Sequence, residues 1–353
     1  MNTKKVIFWS SLIALLSIIL AFYTNYSTTT ISLTNGELFS IKRVFDQSRI
    51  HEFFSFITQL LGLTPKLTAC DPKIWKSPLQ AKYKVDLVLT VSQTAGCGKF
   101  TTVQKAVDAV PNGGAKPALI IIDSGTYKEK VLLGQKKMNI IMKGQGMSKT
   151  MIVWNDTAAK SNGTIYSYSI CIYGKNFIAY DMGFKNTAPR PKPGAIGGQA
   201  VALRIAADQA AFYNCGFYGF QDTLNDAEGK HYFKNCHIEG TVDFIFGNGR
   251  SFYENCTIDS IDNGGTAGAI AAQQRASTKE NTGYSFVNCK IGGKGWNDWR
   301  DPKRDKLVFF GEYNCSGPGS GFKGRVKYAK KLTRLQAAPY LTTAYIDGKT
   351  WIK

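Results

Sequence analysis

Four short segments share one pattern: AFYNCGF (211–217), YFKNCHI (232–238), FYENCTI (252–258) and SFVNCKI (285–291). A fifth, IAYDMGF (178–184), has the same shape with Met182 in the cysteine position. Cys215, Cys236, Cys256 and Cys289 fall 21, 20 and 33 residues apart. A unit near 20 residues is too short for two helices and a turn. Its aromatic and β-branched residues alternate with polar ones, as in strands. Self-similarity at that period marks a solenoid, in which each repeat contacts mainly its neighbours. The expected fold class is therefore all-β, a single-stranded right-handed parallel β-helix. Equivalent residues then stack in ladders, and the four cysteines form one of them. Neighbouring turns are close enough for disulfides, but free buried thiols are expected for most of the four. Ankyrin and leucine-rich repeats are excluded by the missing helical period and leucine pattern.

The ends differ from this repeat. KFTTVQKAVDAVP (99–111) reads as a short amphipathic helix, with Phe100, Val103, Ala106, Val107 and Val110 on one side. It would cap the open end of the solenoid. ALIIIDSGTYKEKVLL (118–133) predicts two strands around a turn, and residues 317–353 a tail packed along the solenoid. Residues 26–70 carry no repeat and read as a leader or stalk, with an amphipathic helix near 44–61. At the start, Lys4 and Lys5 precede an uncharged apolar run from Val6 to Phe22. That pattern predicts a secretory signal, with a retained membrane anchor as the alternative, and export of the rest. Eight cysteines fit an exported chain. Glycosylation sequons begin at Asn25, Asn155, Asn162, Asn255 and Asn314; the last two are expected to be too buried for use.

Net charge is +19. A basic surface suits an acidic partner: nucleic acid, a membrane or an anionic polysaccharide. The basic residues are scattered, and no zinc-finger, RNA-binding or basic-heptad signature is present, so nucleic acid is not expected.

Three polar sites interrupt the strands. GGQAVALR (197–204) carries Gln199, YGFQDTL (218–224) carries Gln221 and Asp222, and TVDFIFG (241–247) carries Asp243. Gln199 and Gln221 are 22 residues apart and Asp222 and Asp243 are 21 apart, each close to one turn. Residues one turn apart lie roughly 5 Å from each other along the axis, so two carboxylates and two amides converge. Paired carboxylates do not both ionise easily, which yields a nucleophile or base beside a general acid. The amides can donate to an oxyanion. This set fits acyl transfer on an ester or glycosidic cleavage. The plainer alternative is that these side chains satisfy backbone at solenoid turns. A serine–histidine triad is not expected: there is no G-x-S-x-G elbow, and two of the three histidines, His231 and His237, lie in strand repeats.

GTYKE (125–129), GGQAVAL (197–203), GFQDTL (219–224), GTVDFIFG (240–247) and VFFGEYNCSGPG (308–319), in that order, resemble the motifs of plant pectin methylesterases. The resemblance spans roughly residues 85–353 and points to the group without an inhibitor-like pro-domain. It divides the chain into a signal peptide or anchor (1–25), a leader or stalk (26–80) and a β-helix catalytic domain (81–353). It implies an aspartyl esterase that removes methyl esters from polygalacturonate in cell-wall modification. By motif, Asp243 resembles the nucleophile, Asp222 the general acid and then base, and Gln221 the main oxyanion donor. Gln199, Phe246 and Gly247 resemble substrate-binding residues. No metal or cofactor is implied. Methyl-esterified homogalacturonan is the implied partner, with a proteinaceous inhibitor as a further one. A monomeric, secreted glycoprotein of the plant cell wall is implied, or a membrane-anchored one if the N-terminal segment is retained.

One motif of that family is missing. Its Leu-Gly-Arg-Pro/Ala-Trp segment supplies an arginine that pairs with the nucleophile and a tryptophan that lines the sugar cleft. Here SFVNCKIGGKG (285–295) runs directly into WNDWRDPKRDKLVFF. The deficit is about one turn, ~20–30 residues, and a solenoid tolerates such a loss because its contacts are mainly nearest-neighbour. Arg275, Arg300, Arg304, Trp296 and Trp299 are the available substitutes, none in a matching position. A pectin-binding β-helix that has lost turnover is therefore the alternative function.

Overall fold

The computed structural model describes residues 71–261, 269–292, 309–323 and 326–353. The export signal, most of the leader, Arg300, Arg304, Trp296 and Trp299 lie outside the described residues. The expected right-handed parallel β-helix is the fold. Eight strands, from Leu87–Val91 to Gly283–Val287, form one sheet. A second has six, from Val131–Leu133 to Ala271–Gln273, and a third has seven, from Gly125–Lys128 to Lys290–Gly292. Each coil contributes one strand to each sheet. Leu203–Ile205, Ala210–Tyr213 and Gly216–Tyr218 make one coil, and Leu224–Asp226, Lys230–Lys234 and His237–Gly240 the next. Leu203 pairs in parallel register with Leu224, and Leu224 with Ile245, so a turn here is 21 residues. The stretch 118–133 holds three short strands rather than two, one for each sheet.

The interior is laddered. Phe212, Phe233, Tyr253 and Phe286 stack ring on ring at 4.9, 4.5 and 4.6 Å between successive centroids. Cys215, Cys236, Cys256 and Cys289 are buried free thiols, as expected, with buried Met182 extending their row. The asparagine before each cysteine has its own reason. Asn214, Asn235, Asn255 and Asn288 take φ of 52°, 54°, 54° and 54° at the corner between the first and third sheets, and Asp181 takes 51°. Asparagine and aspartate tolerate this left-handed region better than other side chains with a Cβ. Their side chains link turn to turn: Asn235 Nδ2 donates to Asn214 Oδ1 (3.3 Å), and Asn214 Nδ2 to Asp181 Oδ1 (2.9 Å). This corrects the expectation for two sequons. Asn255 and Asn314 are exposed, because the corner turns them outward while the following cysteine turns in.

The N-terminal opening is closed by the helix Val103–Ala109, whose Val103, Ala106 and Val107 are buried in the main core. It starts later than the apolar pattern suggested. Thr102 caps it by accepting from Lys105 N–H, and the Glu129 carboxylate accepts from the N–H groups of Val103 and Gln104 at 2.9 and 3.0 Å. Leu79–Tyr83 forms another short helix, with Leu79 and Tyr83 packed on Leu119, Ile121 and Ile141 of the first sheet. The tail does pack along the solenoid. Its short helical turns set Ile346, buried, against Ala211, Tyr232 and Phe252 on the outer face of the first sheet. Among the described residues, no helix is long and apolar enough to cross a membrane.

Candidate active site

The two aspartates stand at equivalent points of successive coils. Asp222 lies two residues before Leu224 and Asp243 two residues before Ile245, and Leu224 and Ile245 are partners in register. Both take left-handed backbone, φ 64° and 48°. Backbone pairing holds each in line. Asp222 N–H donates to Val242 O (3.2 Å), Leu224 N–H to Phe244 O (2.8 Å) and Asp243 N–H to Ala269 O (2.7 Å). The glycines around Asp243 make room for this close stacking. A Cβ on Gly240 would fall 2.3 Å from Phe244 Cβ, and one on Gly247, at φ 129°, would fall 2.2 Å from Asp226 O.

The same column continues as Val201 before Asp222 and Ala269 after Asp243, both buried. Two carboxylates thus sit between apolar neighbours. Burial, and secondarily the charge of Asp243, raise the Asp222 carboxyl well above its ordinary range. Asp222 therefore retains its proton where an ordinary carboxyl would lose it. Among the described residues, no cation acts to lower it.

Gln221 lies in the same turn as Asp222, its carbonyl accepting from Ala200 N–H (3.1 Å). Gln199 comes immediately before Ala200, so it sits at the neighbouring coil of the same turn. Its Oε1 is buried without a hydrogen-bond partner. Phe246 faces outward between Asn225 and Ala272 in register, and packs with Val201, Ala272 and Tyr168 in an apolar floor. Phe246 and Gly247 are both buried, and the lack of a side chain at Gly247 is required by the backbone beneath it. The six residues singled out in the sequence therefore belong to one side of three consecutive coils.

Arg275 does not fill the place of the missing arginine. Its Nε, Nη2 and Nη1 donate to the carbonyls of Ser277, Thr278 and Thr282 at 3.0, 3.0 and 3.4 Å, clamping its own loop. Beyond the strand Ala271–Gln273 lies a cavity of about 140 Å³, lined among others by Gln273, Tyr284, Phe286, Phe309 and Glu312. It lies at the C-terminal end of the solenoid and not at the carboxylate pair.

Sequence reasoning missed Arg204 and Asn225, paired in register on this sheet, and Tyr168, which packs against Phe246 and Val201. Arg204 was legible in principle, as a charged residue between core residues Leu203 and Ile205 one turn before the acid.

Residues 89–295 match the pectinesterase family. The chain is 46% identical over 295 residues to the Arabidopsis thaliana protein numbered pectinesterase 14, covering 75% of this chain and 88% of that one. It is 46% identical over 293 residues to pectinesterase 8 of the same plant, covering 73% and 75%. Among solved structures it is similar to pectin methylesterase from carrot, at 29% identity and TM-score 0.68, covering 76% of this chain and 95% of that one.

Proposed function

This chain belongs to the pectinesterase family, and from that premise we propose how its two aspartates divide the reaction. Its activity is that of a pectin methylesterase, a carboxylic ester hydrolase that releases methanol from methyl-esterified polygalacturonate. In our reading the Asp243 carboxylate attacks the ester carbonyl of one galacturonate unit. The oxyanion that forms accepts hydrogen bonds from the Gln221 amide, with Gln199 assisting. Asp222, neutral, gives its proton to the departing methanol, leaving an acyl-enzyme on Asp243. As a carboxylate, Asp222 then takes a proton from water. The resulting hydroxide equivalent releases the acid product and regenerates Asp243. Phe246 packs against the sugar, and Gly247, next to it in the strand, lets the backbone pass close over Asp226 and so holds Phe246 in place.

The observation that carries this reading is the pair itself. Two carboxylates occupy equivalent positions on successive coils, between apolar neighbours, and one of them is driven to hold its proton. Such a pair meets the needs of nucleophile and acid in one site. The unpartnered Gln199 Oε1 supports a role in holding substrate. The test is methanol release from methylated pectin, measured beside pectin binding by the same sample. Binding without methanol would sink the esterase reading in favour of a pectin-binding protein.

The wider setting belongs to the same proposal: a secreted, glycosylated monomer of the plant cell wall, open to a proteinaceous inhibitor. Lys4, Lys5 and the apolar run from Val6 to Phe22 support export. The exposed Asn155, Asn162, Asn255 and Asn314 support glycosylation. N-terminal sequencing and glycan mass analysis of protein recovered from the wall would decide both.

A further inference from the structure

The second sheet has an interior column of Leu133, Ile172 and Ile205, and the next coil continues it with Asp226. All four are fully buried. A carboxylate in an apolar column is costly unless it is paired and hydrogen-bonded, and Asp226 is both. Its Oδ1 lies 2.5 Å from His231 Nδ1, and its Oδ2 accepts from the Tyr253 hydroxyl at 2.6 Å. Its carbonyl accepts from Gly249 N–H (3.0 Å) and from the Tyr284 hydroxyl (3.1 Å). Burial, and secondarily the charge of Asp226, push both phenols well above their ordinary range, so they remain donors. His231 Nε2 lies 2.9 Å from the carbonyl of Ala207, which can only accept, so Nε2 carries a hydrogen. A proton on one partner or the other then joins Nδ1 to Oδ1.

The cluster sits where two important strands meet. Leu224–Asp226 follows Asp222, and Ile245–Gly247 follows Asp243. These two are laddered at two pairs, Leu224 with Ile245 and Asn225 with Phe246. The pairings on either side of them, with Leu203–Ile205 and with Ala271–Gln273, have three each. The short ladder ends at Asp226, where Gly247 turns to φ 129°. From that point backbone bonds from beyond the strand take over: Gly249 N–H goes to Asp226 O, and Asn248 N–H to Ala227 O at 2.9 Å. The fit is close, since a Cβ on Gly249 would fall 2.2 Å from Asp226 Oδ1. His231, Tyr253 and Tyr284 come from three successive strands of the first sheet, Lys230–Lys234, Arg250–Glu254 and Gly283–Val287. Asp226 is therefore tied to the coils downstream of it as well as to its own.

We propose that Asp226 is a positioning residue. Braced by His231, Tyr253 and Tyr284, it fixes the offset between the strands of Asp222 and Asp243, and with it the spacing of the two carboxylates. The proposal rests on the pectin methylesterase reading. In that reading both carboxylates act on one ester, so a small slip of one strand parts the attack from the delivery of the proton. The cleft wall stays in place, and the polymer still binds. The effect therefore falls on turnover and not on affinity.

The test measures kcat and KM for methanol release from methylated pectin by wild type, Asp226→Leu and Asp226→Asn. Leucine is close to aspartate in shape but makes none of its side-chain bonds. Asparagine can keep both: its Oδ1 accepts from Tyr253, and its Nδ2 donates to Nδ1 of a neutral His231. Phe233→Ala, in the interior ring stack, is the control for lost stability. Per folded molecule, kcat of Asp226→Leu should fall about 10²-fold with KM nearly unchanged. Asp226→Asn should recover most of that loss, and Phe233→Ala should keep the wild-type kcat. Wild-type kcat in folded Asp226→Leu, an equal loss in Phe233→Ala, or a loss lying in KM would overturn the proposal. If Asp226→Leu does not fold, Tyr253→Phe keeps the ring stack and removes one donor. Its kcat should fall several-fold, and an unchanged kcat refutes the proposal. If no protein releases methanol, the esterase reading has failed, and amide hydrogen exchange decides this proposal separately. Faster exchange over residues 243–249 in Asp226→Leu or Tyr253→Phe than in Phe233→Ala supports it, and equal exchange refutes it.

Discussion

The two sides of the carboxylate pair are built differently. Upstream of Asp222 the catalytic sheet runs through three further strands, Leu203–Ile205, Ile170–Ile172 and Val131–Leu133, to a helical cap. Downstream of Asp243 the described sheet has its own strand and one more, Ala271–Gln273, and then the cavity. In a solenoid each coil is held chiefly by its neighbours. Asp222, Gln221 and Gln199 therefore sit on coils supported from both sides. Asp243, the proposed nucleophile, stands next to the less supported end. On the proposed mechanism, this asymmetry lets the upstream coils set the alignment of the two aspartates, so that an absent turn downstream would remove support for the charge of Asp243 rather than the alignment itself.

After the nucleophile itself, the largest expected effect is at Asp222. Asp222→Asn cannot deliver or accept the proton, and methanol release should fall by roughly 10²–10⁴-fold. A loss of less than tenfold would assign the acid role elsewhere. The same variant tests the burial argument. Asp222's carboxyl is raised in the folded protein. Below the ordinary carboxylate range both folded and unfolded states hold the proton, and nothing is lost. Between the ordinary and the raised value the unfolded state has released its proton while the folded state still holds it, so stability falls across that window and levels off above it. Asp222→Asn should therefore gain thermal stability over wild type as pH increases. A difference independent of pH would contradict that origin.

The next effect addresses the incomplete side. Inserting the absent Leu-Gly-Arg and Trp segment between Gly293 and Gly295 should raise esterase activity at least ~10²-fold, with much less change in pectin affinity. The arginine would act where charge develops, whereas the tryptophan would stack on substrate and intermediate alike. If the repaired protein folds and binds pectin but releases no more methanol, the missing turn is not what limits this chain.

The smallest effect compares the packing of the two sides. Phe233 lies between the rings of Phe212 and Tyr253, while Phe286 stacks on Tyr253 and lines the cavity. Phe233→Ala should cost about 3–5 kcal/mol. Phe286→Ala should cost about 1–2 kcal/mol less, because its surroundings already leave space. Equal losses in denaturant unfolding would show that the two ends are packed alike.

Much of this was legible because a solenoid converts spacing into proximity. A separation of 21 residues is enough to place Asp222 one turn from Asp243. What spacing could not reveal was the direction of side chains at corners and the partners they choose. Asn255 and Asn314 looked buried in an apolar context, yet left-handed backbone turns them outward. Arg275 looked like a spare cation, yet its donors all go to its own loop. His231 looked like an ordinary strand residue. It is buried, with Nδ1 2.5 Å from Asp226 Oδ1 and Nε2 2.9 Å from Ala207 O, while Tyr253 donates to the other Asp226 oxygen at 2.6 Å. Both ring nitrogens thus have polar partners inside the core. Nothing in a strand-like pattern announces such a network. The helix Leu79–Tyr83 is too short to show a period at all.

The central claim is that Asp243 attacks the ester. The most direct measurement is methanol release by wild type and Asp243→Asn on one batch of methylated pectin, with both folds checked by circular dichroism. The amide is nearly isosteric with the carboxylate but cannot act as the nucleophile. The account predicts that wild type releases methanol and that the folded variant releases less by about 10⁴-fold or more. Release at the wild-type rate by folded Asp243→Asn would contradict it.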